Sequence, residues 1–200
     1  MTRQMQNRFE FRDADYSVID YSERELFHPS MLGLKPYGMS TACRAGYHAV
    51  YGLANSRLIV RSMSINLYDF SEGPRPELGP PINGVKPRPG DEYDHFNNYY
   101  IDILHPVKYT GGILLAEGLQ RTRHDIIDYP WNYKTVIELI FERGILTSEF
   151  DRSKGMAEIS TIVSSLSRED LYQKTTSKQI NEIYATMFDR KYSAPLLVFQ

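Results

Sequence analysis

The sequence predicts an α+β fold in which a mainly antiparallel β-sheet, over residues 39–150, is followed by C-terminal helices. Two observations carry this prediction. Apolar and polar residues alternate in several short runs before residue 150, and after it the apolar residues recur every three or four positions. The 200 residues are enough to bury a substantial core, so we expect a single domain over residues 1–200.

The clearest strand pattern lies between residues 45 and 68. Apolar side chains alternate through 47–51, Asn55-Ser56 interrupts them, and a second alternating run covers 58–67. Strand-like runs on either side of a short polar pair are typical of a β-hairpin. A second hairpin is predicted over 136–150, because Gly144 supplies the positive φ that tight connections require.

The region between these hairpins is harder to assign. Residues 71–91 contain six prolines and four glycines, a density that neither a helix nor a central strand tolerates, so a long surface loop is predicted there. Loops of this length are uncommon in compact domains unless they are functional or disordered. Further on, Gly111-Gly112 is expected to break the chain before a short apolar strand at 113–116.

The last fifty residues have helical periodicity, and 153–190 is expected to be mostly helical. Ser177 is a plausible N-cap for a helix over 177–190. Two apolar sets at helical spacing support the assignment: Met156, Ile159, Val163 and Leu166, then Ile180, Ile183, Tyr184, Met187 and Phe188.

Composition argues against several classes of partner. Basic and acidic residues number 23 and 25 and are mixed along the chain, so nucleic acid is not expected as a partner. No stretch approaches the roughly 20 apolar residues that span a bilayer, and the N-terminus lacks a secretory signal pattern. A single cysteine, Cys43, fits a reducing compartment. We therefore expect a cytoplasmic protein without a membrane segment and without a cofactor.

Three sets of residues have side chains suited to a catalytic or metal site. Cys43 and His48 suggest a thiol nucleophile with its base, but an offset of five on one strand puts their side chains on opposite faces. Glu138 and Glu142, with the acidic residues before Lys154, resemble a nuclease arrangement only loosely. Strand parity favours placing both glutamates on a solvent face.

The metal candidates are acidic and histidine residues near the Pro/Gly-rich stretch and in the 124–128 region. Their spacing matches no established ligand pattern, and such residues are usually solvated, so no metal site is predicted. A hydrolase or metal-dependent nuclease built on them is the alternative function. The candidates are Asp94, His95, His124 and Asp128.

One stretch resembles a known group of proteins. Ser40-Thr41-Ala42, the Gly46-Tyr47 pair, the strand at 58–60 and the hairpin at 136–150 are similar to a group of small bacterial proteins of uncharacterised function. The resemblance covers about residues 35–150 and implies two hairpins, with no catalytic residue, cofactor or activity. Arg44-Ala45 departs from the group, which has an aromatic residue followed by arginine.

The function we favour is a cytoplasmic interaction protein, such as an immunity protein or inhibitor that occludes a protein partner. Fifteen tyrosines suit both strands and interfaces, and a Tyr- and Asp-rich run follows the Pro/Gly-rich stretch. Residues 71–102 are therefore expected to form or border the binding surface. Alternation would turn some of its rings inward; the predicted partner-binding residues are Tyr93, Phe96, Tyr99 and Tyr100.

Overall fold

A computed structural model describes residues 4–23, 26–38, 40–68, 78–91, 94–120, 129–171 and 173–193. Ten strands and three α-helices fall in these ranges, which confirms the α+β prediction. The strands are β1 Arg8–Phe11, β2 Ala14–Tyr21, β3 Tyr47–Ala54, β4 Arg57–Ile65, β5 Arg88–Pro89, β6 Asn98–Tyr100, β7 His105–Pro106, β8 Gly111–Leu119, β9 Tyr133–Glu142 and β10 Ile145–Asp151. The helices are α1 Ser153–Ser165, α2 Arg168–Leu171 and α3 Lys174–Thr186.

The chain divides into two compact units. The first unit contains residues 1–15, 25–109 and 143–145, and the second contains 16–24, 110–142 and 146–200.

In the first unit the strands lie in the order β1-β3-β4-β6-β5, and β7 pairs with β4. β1 runs parallel to β3, whereas β3, β4, β6 and β5 are successively antiparallel. The predicted hairpin over 45–68 is confirmed as β3 and β4, which pair from Tyr47 with Ile65 to Ala54 with Arg57. Its turn residues, Asn55 and Ser56, have φ of 51° and 62°, the left-handed pair that a two-residue hairpin turn requires.

The Pro/Gly-rich stretch is described from residue 78 onward, and residues 71–77 lie outside the described ranges. A long surface loop was predicted, but the described part holds two ordered features. Ile82 and Val85 close a tight turn through backbone hydrogen bonds of 3.0 and 2.9 Å, with Ile82 buried. Arg88–Pro89 forms β5 at the end of the strand order, where a missing proline N–H costs no ladder hydrogen bond.

In the second unit the strands lie in the order β2-β8-β9-β10. The second predicted hairpin is confirmed as β9 and β10. The prediction that Gly111 and Gly112 break the chain is wrong. They are the first residues of β8 and pair with Phe141 and Ile140. Glycine is needed there for space, because a Cβ on Gly112 would collide with the Tyr192 hydroxyl.

The helices of the second unit pack by their predicted apolar positions, with Met156, Ile159, Ile180 and Tyr184 at most 3% exposed. Helix α3 begins and ends about three residues earlier than predicted. Its N-cap is Gln173, and Ser177 is a buried residue inside the helix rather than the cap. Among the described residues, no helix is both long and apolar enough to cross a membrane.

Candidate functional site

The predicted partner-binding rings have different environments. Phe96 and Tyr100 alternate into the core of the first unit, with exposed fractions of 7% and 0%. The Tyr100 hydroxyl donates to the Pro80 carbonyl at 2.9 Å, and burial raises the pKa of Tyr100 to about 12. Tyr99 points to the opposite face and is half-buried. Tyr93 lies outside the described residues, so Tyr99 is the described ring that a partner can reach.

Tyr99 stands in a row of side chains across four strands. It pairs with Arg88 on β5 and with Ser64 on β4, and Ser64 pairs with His48 on β3. Directly opposed residues in a sheet point to the same face, so these four side chains share one surface. Burial and the adjacent Asp94 carboxylate raise the pKa of Tyr99, so its phenolate form is further disfavoured.

The loop between β6 and β7 exposes two aliphatic side chains. Ile101 is 42% exposed and Leu104 is 48% exposed. Leu104 has φ of 44° and Asp102 has φ of 53°, both in the left-handed region that side chains with a Cβ rarely occupy. For a leucine this conformation costs about 1 kcal/mol or more. We call Tyr99, Ile101, Asp102 and Leu104 the 99–104 surface.

The unusual backbone is held in place from both sides of the loop. Ile103 is 1% exposed, its N–H donates to the Arg61 carbonyl at 2.8 Å, and its carbonyl accepts from the Asn83 amide at 2.9 Å. The Asp102 N–H donates to the Ser62 hydroxyl at 3.2 Å. The backbone of the 99–104 surface is therefore held in one conformation, in which Ile101 and Leu104 are exposed.

Of the four candidate metal ligands, the structure describes Asp94 and His95. Asp94 and His95 are exposed, and the Asp94 carboxylate accepts the Asp91 N–H at 2.8 Å. No group of three potential ligands forms among the residues that can be described. His124 and Asp128 lie outside those residues.

Cys43 has the environment of a structural thiol. It is 4% exposed, and its Sγ donates to the Tyr47 carbonyl at 3.6 Å. Burial raises the pKa of Cys43 and lowers that of His48. A nucleophilic cysteine needs the opposite shift of its own pKa, so this environment disfavours a thiolate.

An open cleft of about 600 Å³ lies at one end of the first unit, beside the turn from β1. Glu10, Arg12, Asp13, Asp15, Leu53 and Arg61 are among its lining residues. Arg61 forms an ion pair with Glu10 at 2.7 Å and lies 3.7 Å from Asp102. The cleft wall and the 99–104 surface therefore share the Arg61 guanidinium.

The main correction concerns Glu138, which was placed on a solvent face but is 0% exposed. Its carboxylate accepts from Arg152 Nε at 2.9 Å and from Arg152 Nη2 at 2.5 Å. It also accepts the N–H groups of Asp189 and Arg190, both at 3.2 Å, and the Tyr192 hydroxyl at 3.0 Å. Five donors, two of them on the Arg152 guanidinium, explain why a charged group is tolerated under the helices. Glu142, four residues on, is exposed.

A second acidic residue lies in the same row of the sheet. Asp20 on β2 pairs with Leu114 on β8, and Leu114 pairs with Glu138 on β9. Two strand spacings, or roughly 10 Å, separate the backbones of Asp20 and Glu138. Tyr184 on α3 is 2% exposed, and its pKa is raised by burial and then by the negative charges of Asp20 and Glu138.

The sequence patterns gave no indication of Asp20 and placed Glu138 on a solvent face. The signal for Glu138 in the sequence is its position as an acidic residue inside the apolar run 136–141. When both faces of a strand are buried, the parity of a residue no longer indicates whether its side chain is exposed. Comparison with known proteins adds no assignment: no family, no curated protein and no solved structure matches this chain.

Proposed function

We propose that this chain is an interaction protein that binds a protein partner through the 99–104 surface. The observation that carries the proposal is Leu104, which is both exposed and held in a left-handed conformation. The exposure of the leucine side chain and its left-handed backbone each lower the stability of the fold, and residues with strained backbones cluster at binding sites. The surface also directly continues the 71–102 region that the sequence singled out for its rings.

The chemistry around the surface favours a partner with basic groups around an apolar centre. Asp91 and Asp94 lie near the Tyr99 hydroxyl, and exposed Asp102 lies between Ile101 and Leu104 in the sequence. Arg88 is the neighbouring cation on the Tyr99 row. Three carboxylates face two guanidiniums, Arg88 and Arg61, and Arg61 is also paired with Glu10. The surplus of negative charge suits a basic rim on the partner, since charge complementarity speeds encounter and fixes register. An inhibitor or immunity protein acting in the cytoplasm by occlusion is the specific form we propose.

Site-specific photo-cross-linking in bacterial cells tests the proposal. A photoreactive phenylalanine analogue replaces Tyr99, and the same analogue at Met31, which is 66% exposed, is the matched control. We expect one discrete protein adduct from position 99 and none from position 31. Leu104→Gly should reduce the adduct about tenfold or more, since truncated hot spots typically cost 2 kcal/mol or more.

Equal cross-linking from both positions, or an adduct that Leu104→Gly leaves unchanged in a folded protein, would refute the 99–104 surface. The alternative function has its own outcome. A hydrolytic or nuclease activity that His95→Ala abolishes would favour an enzyme.

A further inference from the structure

Polar side chains lie on the buried face of α3. Ser177, Asn181 and Tyr184 follow one another at intervals of four and three residues, so they line one side of the helix over about two turns. Ile180 belongs to the same buried face. Ser177 and Tyr184 are each 2% exposed, and Asn181 is half-buried. This face therefore mixes polar and apolar side chains where a packed helix ordinarily presents apolar ones.

The polar atoms of this face have no hydrogen-bond partner within the part of the chain that the structure describes. They are Ser177 Oγ, Asn181 Oδ1 and the Tyr184 hydroxyl, and all three atoms are buried. Trp131 Nε1 is a fourth buried atom of this kind. The Trp131 side chain is 3% exposed and packs edge-on against the Tyr184 ring at a centroid distance of 5.9 Å. We call these four side chains the α3–Trp131 polar set.

Four such atoms would strongly destabilise the fold if nothing bonded to them. A buried donor or acceptor without a partner carries the full cost of leaving water, and the net stability of a domain is small. Buried polar groups in folded proteins are therefore almost always bonded to the protein or to an internal water. A serine inside a helix can donate its hydroxyl to the carbonyl four residues earlier. For Ser177 only the backbone N–H does so, to Gln173 at 3.0 Å.

The donors and acceptors of the α3–Trp131 polar set define the partner that they need. The Trp131 indole N–H can only donate, and the Asn181 amide oxygen can only accept. The hydroxyls of Ser177 and Tyr184 can do both. The partner must therefore be a molecule that both donates and accepts hydrogen bonds.

Charge and space narrow the choice further. The indole N–H of Trp131 disfavours a cation. Burial, and then the negative charges of Asp20 and Glu138, raise the pKa of Tyr184, so an anion beside that hydroxyl would be repelled. Trp131 stacks on Tyr129 at 4.6 Å and contacts Tyr184, so these rings leave no gap for an organic molecule between them. Water is neutral and small, and it both donates and accepts.

We propose that α3 is docked on the second unit through internal water molecules that hydrogen-bond to the α3–Trp131 polar set. A buried water typically makes about three hydrogen bonds, which lets it join a side chain of α3 to other polar groups of the core. Such bridges are nearly as favourable as direct hydrogen bonds. Ser177, Tyr184 and Trp131 are at most 3% exposed, so these waters belong to the fold and not to the surface hydration layer.

Rotating-frame NMR cross-peaks between water and protein protons, recorded on the full chain, test the proposal directly. Trp131 is the only tryptophan, so its indole N–H proton gives one unambiguous signal. We expect a water cross-peak at this proton with the sign of dipolar contact, which is opposite to the sign of chemical exchange. A tyrosine hydroxyl proton that exchanges with solvent would also relay such a peak. The peak should therefore persist in Tyr184→Phe, which removes the hydroxyl from the ring that contacts the indole.

Urea unfolding followed by circular dichroism is the second test. If water bonds to the Tyr184 hydroxyl, Tyr184→Phe loses that bond and should lower the unfolding midpoint by about 0.5 M. If the hydroxyl has no partner, its removal should leave the midpoint unchanged or raise it. Ser177→Ala should likewise have a lower midpoint than Ser164→Ala, the control for replacing an exposed serine in a helix.

Two results would overturn the proposal. One is the absence of the dipolar water cross-peak at Trp131 in the wild type, or its loss in folded Tyr184→Phe. The other is a midpoint for Tyr184→Phe that equals or exceeds that of the wild type. The wild-type spectrum decides the question if a variant does not fold.

Discussion

Replacing Glu138 by glutamine is the most informative single test of how the second unit is held together. The substitution keeps the size of the side chain and removes its charge. It also turns one acceptor oxygen into an NH₂ donor, which then faces a donor: Arg152, the N–H groups of Asp189 and Arg190, or the Tyr192 hydroxyl. At least one buried hydrogen bond is thus replaced by a donor–donor contact.

The magnitude follows from the burial of the pair. Removing one partner of a buried ion pair costs about 3–5 kcal/mol, because the remaining charge is left without compensation. Arg152 is 20% exposed and keeps Asp189 at 3.3 Å, which places the expected cost at the lower end, about 3 kcal/mol in the free energy of unfolding.

Urea unfolding followed by tryptophan fluorescence measures this loss in the right part of the chain. Trp131 is the only tryptophan, is 3% exposed and stacks on Tyr129 at 4.6 Å in the second unit. With a denaturant slope of about 2 kcal/mol per molar, the midpoint should fall by roughly 1.5 M. Glu142→Gln should stay within about 0.5 kcal/mol of wild type. A loss below about 1 kcal/mol for Glu138→Gln would refute the argument that this carboxylate holds Arg152 and residues 189–192 in place.

Three further substitutions have defined outcomes. Gly112→Ala should lower the free energy of unfolding by about 1–3 kcal/mol in the same assay, because its Cβ displaces Tyr192; an unchanged value would mean that the hydroxyl does not occupy that space. Cys43→Ser should cost about 1 kcal/mol and leave partner cross-linking intact, and loss of cross-linking in the folded variant would revive a reactive thiol. Leu104→Gly should raise stability by about 1 kcal/mol as it weakens binding, and a destabilised variant would contradict the strain assigned to that residue.

Local pattern was enough to predict the hairpins, because strand alternation and turn chemistry act over a few residues. Asn55-Ser56 and Gly144 mark turns whose positive φ values are 51°, 62° and 82°. Alternation also predicted that some rings of the Tyr-rich run turn inward, as Phe96 and Tyr100 do. The apolar spacing of α3 predicted its buried face correctly, although the helix begins before the serine taken as its cap.

Long-range packing decided what the sequence could not. Glu138 has the parity of a surface residue, and its burial depends on Arg152 and on residues 189–192, about fifty positions later. Gly112 is a residue type that usually indicates a break in a strand, and the need for glycine at this place in β8 comes from Tyr192. The backbone strain at Leu104 is not indicated by the sequence, because leucine is an ordinary residue in strands and loops. In each case the cause is a neighbour distant in sequence.

The parallel pairing of β1 with β3 has a consequence for the order of folding. Arg8 pairs with Val50, 42 positions away, whereas Ala54 and Arg57 of the β3–β4 hairpin are separated by a two-residue turn. Closing the longer loop costs more chain entropy before any contact compensates it. We therefore expect the β3–β4 hairpin to form first, within microseconds, and to serve as the template on which β1 docks in a slower step.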